Sequence, residues 1–269
     1  MEPAGARIKV PVAEIMVEAY RGVFGGLGAI LDVAWLPLLL VLAATLLPGY
    51  VRTYTAALAL PAWAGDQFGL SYENLVAAII ALFALNAFAV RWYQLLLYRD
   101  GPRVPHGIFL GAWLRFLLYT LLLYLMATLL LVAMLLADSE GAPAYVVPLA
   151  GAAMIVMWLA PLRCSLLFPA AATAQPLSVM AAWRALGGNT WRLFAAMMLV
   201  TLPTVFVAAM LINGIFSGLN IDATSNTPPP VGFFILRGVF GTCADFLVVA
   251  LSAAVVAGFY RRVKGTKAD

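Results

Sequence analysis

The sequence predicts an all-α polytopic membrane protein, with six transmembrane helices and amphipathic helices lying along its cytoplasmic face. Three observations carry that expectation. Of the 269 residues, 64% are hydrophobic and 10% are charged, with a mean hydropathy of +0.98. A soluble domain of this length uses roughly 25% charged residues to cover its surface. Exposing this much Leu, Val and Phe to water is ruled out by the hydrophobic effect. Six segments also reach the ~20 apolar residues that a bilayer crossing requires. Finally, the cations gather on one side of those segments.

The elements follow in chain order. VPVAEIMVEAYRGVF sets Val12, Ile15, Met16, Ala19 and Val23 on one helical stripe, with Glu14, Glu18 and Arg21 on the other. That is the pattern of an interfacial helix over about residues 11–24. Spans are expected at about 27–48, 75–97, 108–137, 145–168, 191–215 and 233–260. The third and sixth exceed the bilayer length and must tilt or protrude. PLSVMAAWRALGGNTWRLF repeats the interfacial device over about 176–188. Pro176 and Ser178 suit a helix start, Gly187-Gly188 a stop, and Asn189 or Thr190 a cap for the next helix. Residues 1–269 read as a single integral membrane domain, its outer connections falling at 49–74, 138–143 and 217–232.

Sidedness follows from the cations. Arg7, Lys9 and Arg21 precede the first span, and Arg91, Arg99, Arg103 and Arg115 cluster between the second and third. Arg163, Arg184 and Arg192 lie between the fourth and fifth, and Arg261, Arg262, Lys264 and Lys267 form the tail. Only Arg52 and Arg237 remain for the opposite side. The rule that inner loops are basic then puts both termini in the cytoplasm. Residues 1–26 lack a cleavable signal, so the first span is expected to serve as an uncleaved anchor.

Two stretches look alike. AYRGVFGGLGAILDVAWLPLLL and AWRALGGNTWRLFAAMMLVTLPTVF each run aromatic-Arg, glycines, then an apolar span with a proline, Pro37 or Pro203. They suggest repeated units of interfacial helix and helical hairpin, beside the plainer reading that inner helix ends simply attract arginine.

Candidate chemistry is sparse. Asp245 lies roughly 20 Å along its helix from either end, at about 1.5 Å per residue. An ionisable group at that depth is a functional candidate by default. Helical spacing groups it with Gly238, Gly241, Thr242, Val249 and Ser252, a small face expected to turn it into the bundle toward Asn86. Asp245 and Asn86 therefore form a candidate mid-membrane polar site, for transport or for packing. Arg163, Arg184 and Arg192, with Trp183, Trp191 and Arg115, are candidate headgroup ligands, because arginine meets phosphate and indole prefers the interface. One histidine, His106, and two cysteines, Cys164 and Cys243, make no metal or redox motif, and no HExxH or Ser/His dyad is present. No catalytic residue, metal or cofactor is expected.

Arg163, Leu166, Phe168, Pro169, Ala170, Ser178, Ala182-Trp183, Leu186, Gly188, Trp191-Arg192 and Phe194 together form a recognisable pattern. It resembles the YciC-type six-helix inner-membrane proteins and the membrane domain fused to some glycerophosphodiester phosphodiesterases. The N-terminal VAEIMVEAYRGVF is similar to that family too. The resemblance implies a bacterial inner (plasma) membrane location and a phospholipid-related setting, with no catalytic residues to carry over. Expected partners are membrane phospholipids and other membrane proteins, not nucleic acid. The expected role is noncatalytic, lipid-interacting or membrane-organising, with a small transporter or lipid translocator as the alternative.

Overall fold

The computed structural model describes residues 10–54, 72–98, 106–137, 148, 151, 159–175, 177–218 and 231–265, and among them all regular secondary structure is helical. The helices are α1 (Val12–Phe24), α2 (Leu27–Tyr54), α3 (Tyr72–Leu97), α4 (His106–Ala137), α5 (Leu167–Ala172), α6 (Val179–Ala185), α7 (Thr190–Gly218) and α8 (Val231–Lys264). Residues 159–164 are helical as well and lead into α5 through a turn.

Five stretches are long and apolar enough to cross a bilayer: Leu27–Leu46, Leu75–Leu97, Phe109–Met126, Thr190–Gly214 and Ile235–Lys264. The shortest has 18 residues, about 27 Å of helix at about 1.5 Å per residue. The chain is thus an all-helical, multi-pass membrane protein. Of the expected fourth span, 145–168, residues 145–147, 149–150 and 152–158 lie outside the described residues, and so do most of the outer connections. What is described there is the shorter apolar segment Leu159–Ala172.

Some expected boundaries move. α2 runs through Pro48 to Tyr54, six residues beyond the expected end. A proline removes one N–H and crowds one carbonyl, but an apolar environment makes every other helical hydrogen bond costly to abandon. α4 opens at His106, two residues ahead of the expected span. α6 is confined to seven residues, with Ser178 as its N-cap: the Ser178 hydroxyl accepts from the Ala181 N–H. At its far end Gly188 takes φ 89°, the left-handed region where glycine carries no Cβ penalty.

The described helices group into two compact units. One comprises residues 1–19, 93–198 and 254–269. Its core includes an aromatic chain in which Phe116 of α4 packs on Phe168 of α5 (ring centroids 4.7 Å) and on Tyr93 of α3 (5.9 Å). Ile15 and Ala19 of α1 are buried there, with Ile15 in contact range of Gly258. The other unit comprises residues 20–92 and 199–253. In it Phe88 meets Phe246 (4.9 Å) and the Trp92 indole donates to the Ala250 carbonyl (3.0 Å).

Candidate functional site

The first unit holds the arginine–tryptophan segment, and the structure divides its residues into three kinds. Arg192 is spent internally. Its Nη1 donates to the Val10 carbonyl (3.2 Å), while the Val10 N–H donates to Asn189 Oδ1 (3.3 Å). Both faces of one peptide residue ahead of α1 are therefore gripped from the start of α7. Asn189 directs this oxygen to Val10, and Thr190 donates back to the Leu186 carbonyl (3.1 Å). Asn189 stands directly before α7, where a cap was expected, and holds the chain ahead of α1 as well.

Arg184 and Trp191 are outward. Arg184 is exposed on α6, and Trp191 is 70% exposed in the first turn of α7, meeting Phe194 edge-on at 5.9 Å. Val179 and Met180 on α6 are more than half exposed as well. Below them Ala182 and Leu186 are wholly buried, so α6 has one seated face and one free, apolar-plus-basic face. Arg115 is exposed on α4. Arg163 and Trp183 form a third arrangement. The guanidinium carbon lies 4.7 Å from the centre of the indole, within cation–π range, and the buried Nε has no hydrogen-bond partner among the described residues.

The mid-membrane pair does not assemble. Asn86 is buried, but its amide donates to the Leu82 carbonyl of its own helix (2.6 Å). Asp245 is exposed, and no hydrogen bond joins it to Asn86 or to any other described residue. The inward face of α8 is instead Gly238, Thr242, Phe246, Ala250 and Ala253, with Leu251 also buried. The expectation of a small face turning Asp245 inward is therefore corrected: Gly238 and Thr242 are buried, but Asp245 is exposed. The reason is complementarity. Phe88 and Trp92 present large surfaces that Phe246 and the Ala250 carbonyl satisfy, whereas Gly241, beside Asp245, has nothing within 4 Å of a would-be Cβ.

Sequence reasoning missed a polar network in the first unit. Arg262 donates to Glu18 (2.7 and 3.2 Å) and Glu14 (3.2 Å), and Arg261 lies 3.6 Å from Glu18. Gln175, just past the left-handed Ala174, accepts from Tyr260 (3.1 Å) and Lys264 (2.5 Å). Gln94 of α3 and Tyr98, the residue just past it, donate to the Ala172 and Thr173 carbonyls (3.0 and 3.1 Å), satisfying the end of α5. The only sequence signal was the pairing of an acidic stripe on α1 with a basic tail. Among the described residues no three His, Cys, Asp or Glu side chains are grouped so as to hold a metal ion.

Compared with family models, curated proteins and solved structures, the chain matches none of them.

Proposed function

We propose that this chain is a noncatalytic, lipid-interacting protein of the bacterial inner membrane, with six spans, both termini in the cytoplasm, and α1 and α6 lying at the inner headgroups. One observation carries the reading: Trp191 stands exposed in the opening turn of an apolar span, directly after a helix that exposes Arg184 beside Val179 and Met180. An indole prefers the headgroup level, where its ring is shielded and its N–H stays wet. Arginine there meets lipid phosphate. The basic-inside pattern and the YciC-type resemblance point the same way. α1 differs from α6 in that Ile15, Ala19 and Val23 are covered by protein, so the lipid-facing part of α1 is the side carrying Val17 and Phe24, both at least half exposed. A translocation site made of Asp245 and Asn86 draws no support from their geometry.

The test is lipid retention. Arg184→Glu and Trp191→Ala are purified in mild detergent and the co-purified phospholipids quantified. We expect anionic lipid per protein to fall in each variant while zwitterionic lipid changes little. An unaltered lipid complement in both would sink the reading.

A further inference from the structure

Arg163 has donors that no described residue uses. It is half-buried, its Nε is inaccessible and unpartnered, and no hydrogen bond or ion pair joins its guanidinium to a described residue. Two other half-buried arginines of this unit behave differently. Arg192 holds the Val10 carbonyl, and Arg262 holds Glu14 and Glu18. A guanidinium does not lose its proton in a protein, so burial cannot be relieved by neutralising it. A buried charged donor without an acceptor is among the costliest groups to leave unmet.

The chain also supplies no counter-charge nearby in sequence. Between Glu140 and Asp222 there is no acidic residue at all, yet Arg163, Arg184 and Arg192 all fall in that stretch. The described carboxylates of the same unit, Glu14 and Glu18, are already engaged by Arg261 and Arg262. Trp183 meanwhile holds the guanidinium carbon over its ring, a contact that fixes the group while leaving in-plane N–H donors to spend. Side-by-side donors on a fixed guanidinium match two oxygens of a phosphate.

We propose that Arg163, braced by Trp183, is a binding site for a phosphate oxyanion, carried by a membrane phospholipid or by a free phosphate. The phospholipid source rests on the lipid-interacting reading above; the site itself does not. It is a single fixed point of attachment, unlike the open Arg184–Trp191 surface.

The experiment uses the full chain in nonionic detergent at constant ionic strength. Thermal unfolding is followed while titrating dihexanoyl phosphatidylglycerol in one arm and sodium phosphate in the other. Wild-type protein is expected to gain a saturable rise in Tm in at least one arm. Arg163→Gln is expected to weaken the apparent affinity about tenfold or more, and Arg163→Lys to lose most of it, since a point charge lacks the paired donors. Trp183→Leu, which keeps the cation and removes its brace, is expected to weaken binding too, and it serves if Arg163→Gln does not fold. A response to the lipid alone assigns a phospholipid headgroup; a response to both arms assigns the bare phosphate group. No response in the wild type, or responses unchanged by Arg163→Gln and Trp183→Leu, would overturn the site. Normal lipid loss in Arg184→Glu alongside an unchanged Arg163→Gln response sinks this site alone. The converse pattern sinks only the broader function.

Discussion

The Tyr20 hydroxyl donates to the Val200 carbonyl at 3.3 Å and lies 3.5 Å from that of Leu199, one turn before Pro203 in α7. Proline has no N–H, so the Leu199 carbonyl, four residues earlier, loses its helical donor. Inside a membrane-spanning helix water is not there to replace it. The phenol of α1 shares its one proton between the Leu199 carbonyl (3.5 Å) and the Val200 carbonyl (3.3 Å), and the Thr204 hydroxyl also donates to Val200 (3.3 Å). Tyr20→Phe is therefore expected to cost about 1 kcal/mol. In a Pro203→Ala background, where the helix can make its own bond, that cost should shrink. A double-mutant unfolding cycle with equal costs in both backgrounds would contradict the arrangement.

The grip on Val10 makes a separate prediction. Asn189→Ala deletes the acceptor for the Val10 N–H, and Arg192→Gln deletes the cation on its carbonyl. Each is expected to destabilise by roughly 1–2 kcal/mol. Hydrogen exchange should report faster exchange across the first turn of α1, without change in α4. Full protection of that turn in both variants would show that the grip is dispensable.

The pairing of α1 with the end of α8 is electrostatic and partly solvated, with side-chain exposures of 22% for Arg262, 44% for Glu18 and 66% for Glu14. Exposed pairs of this kind contribute only about 0.5 kcal/mol each. Replacing Glu14 and Glu18 together by Gln is expected to lower Tm slightly at low salt and to have no effect near 1 M salt, where the Debye length is ~3 Å. A salt-independent loss would mean that packing, not charge, is what the substitutions disturb.

At the α1–α2 turn, a Cβ on Gly25 would sit 2.6 Å from the Arg21 carbonyl oxygen, and one on Gly26 2.7 Å from that of Gly22. Both obstacles are backbone and cannot swing aside. Gly25→Ala or Gly26→Ala is expected to cost about 1–3 kcal/mol. Gly241→Ala, which meets nothing within 4 Å, should be neutral or slightly stabilising through its higher helix propensity. Unfolding midpoints of the three variants give the comparison directly.

Local signals were readable where one residue type solves one local problem. Ser178 as an N-cap and the Gly187-Gly188 stop are of this kind, because an orphan N–H or a left-handed φ selects its residue regardless of distant neighbours. The pairing of Asp245 with Asn86 was not readable. Matching depth on two helices says nothing about rotation, and α8 is rotated by what Phe246 and Ala250 must meet on α3. The arginines show the same limit. Arg163, Arg184 and Arg192 look equivalent in sequence, yet one is stacked with spare donors, one is open, and one is consumed on Val10.

Composition and apolar run length alone determined that this is a helical, multi-pass membrane protein, because a bilayer demands ~20 apolar residues per crossing and internal satisfaction of every backbone hydrogen bond. Only the tertiary structure decided which polar side chains are spent on holding the fold and which remain free for a ligand. That choice depends on distances between residues some 180 positions apart, Val10 and Asn189 or Tyr20 and Val200, and no local periodicity encodes them.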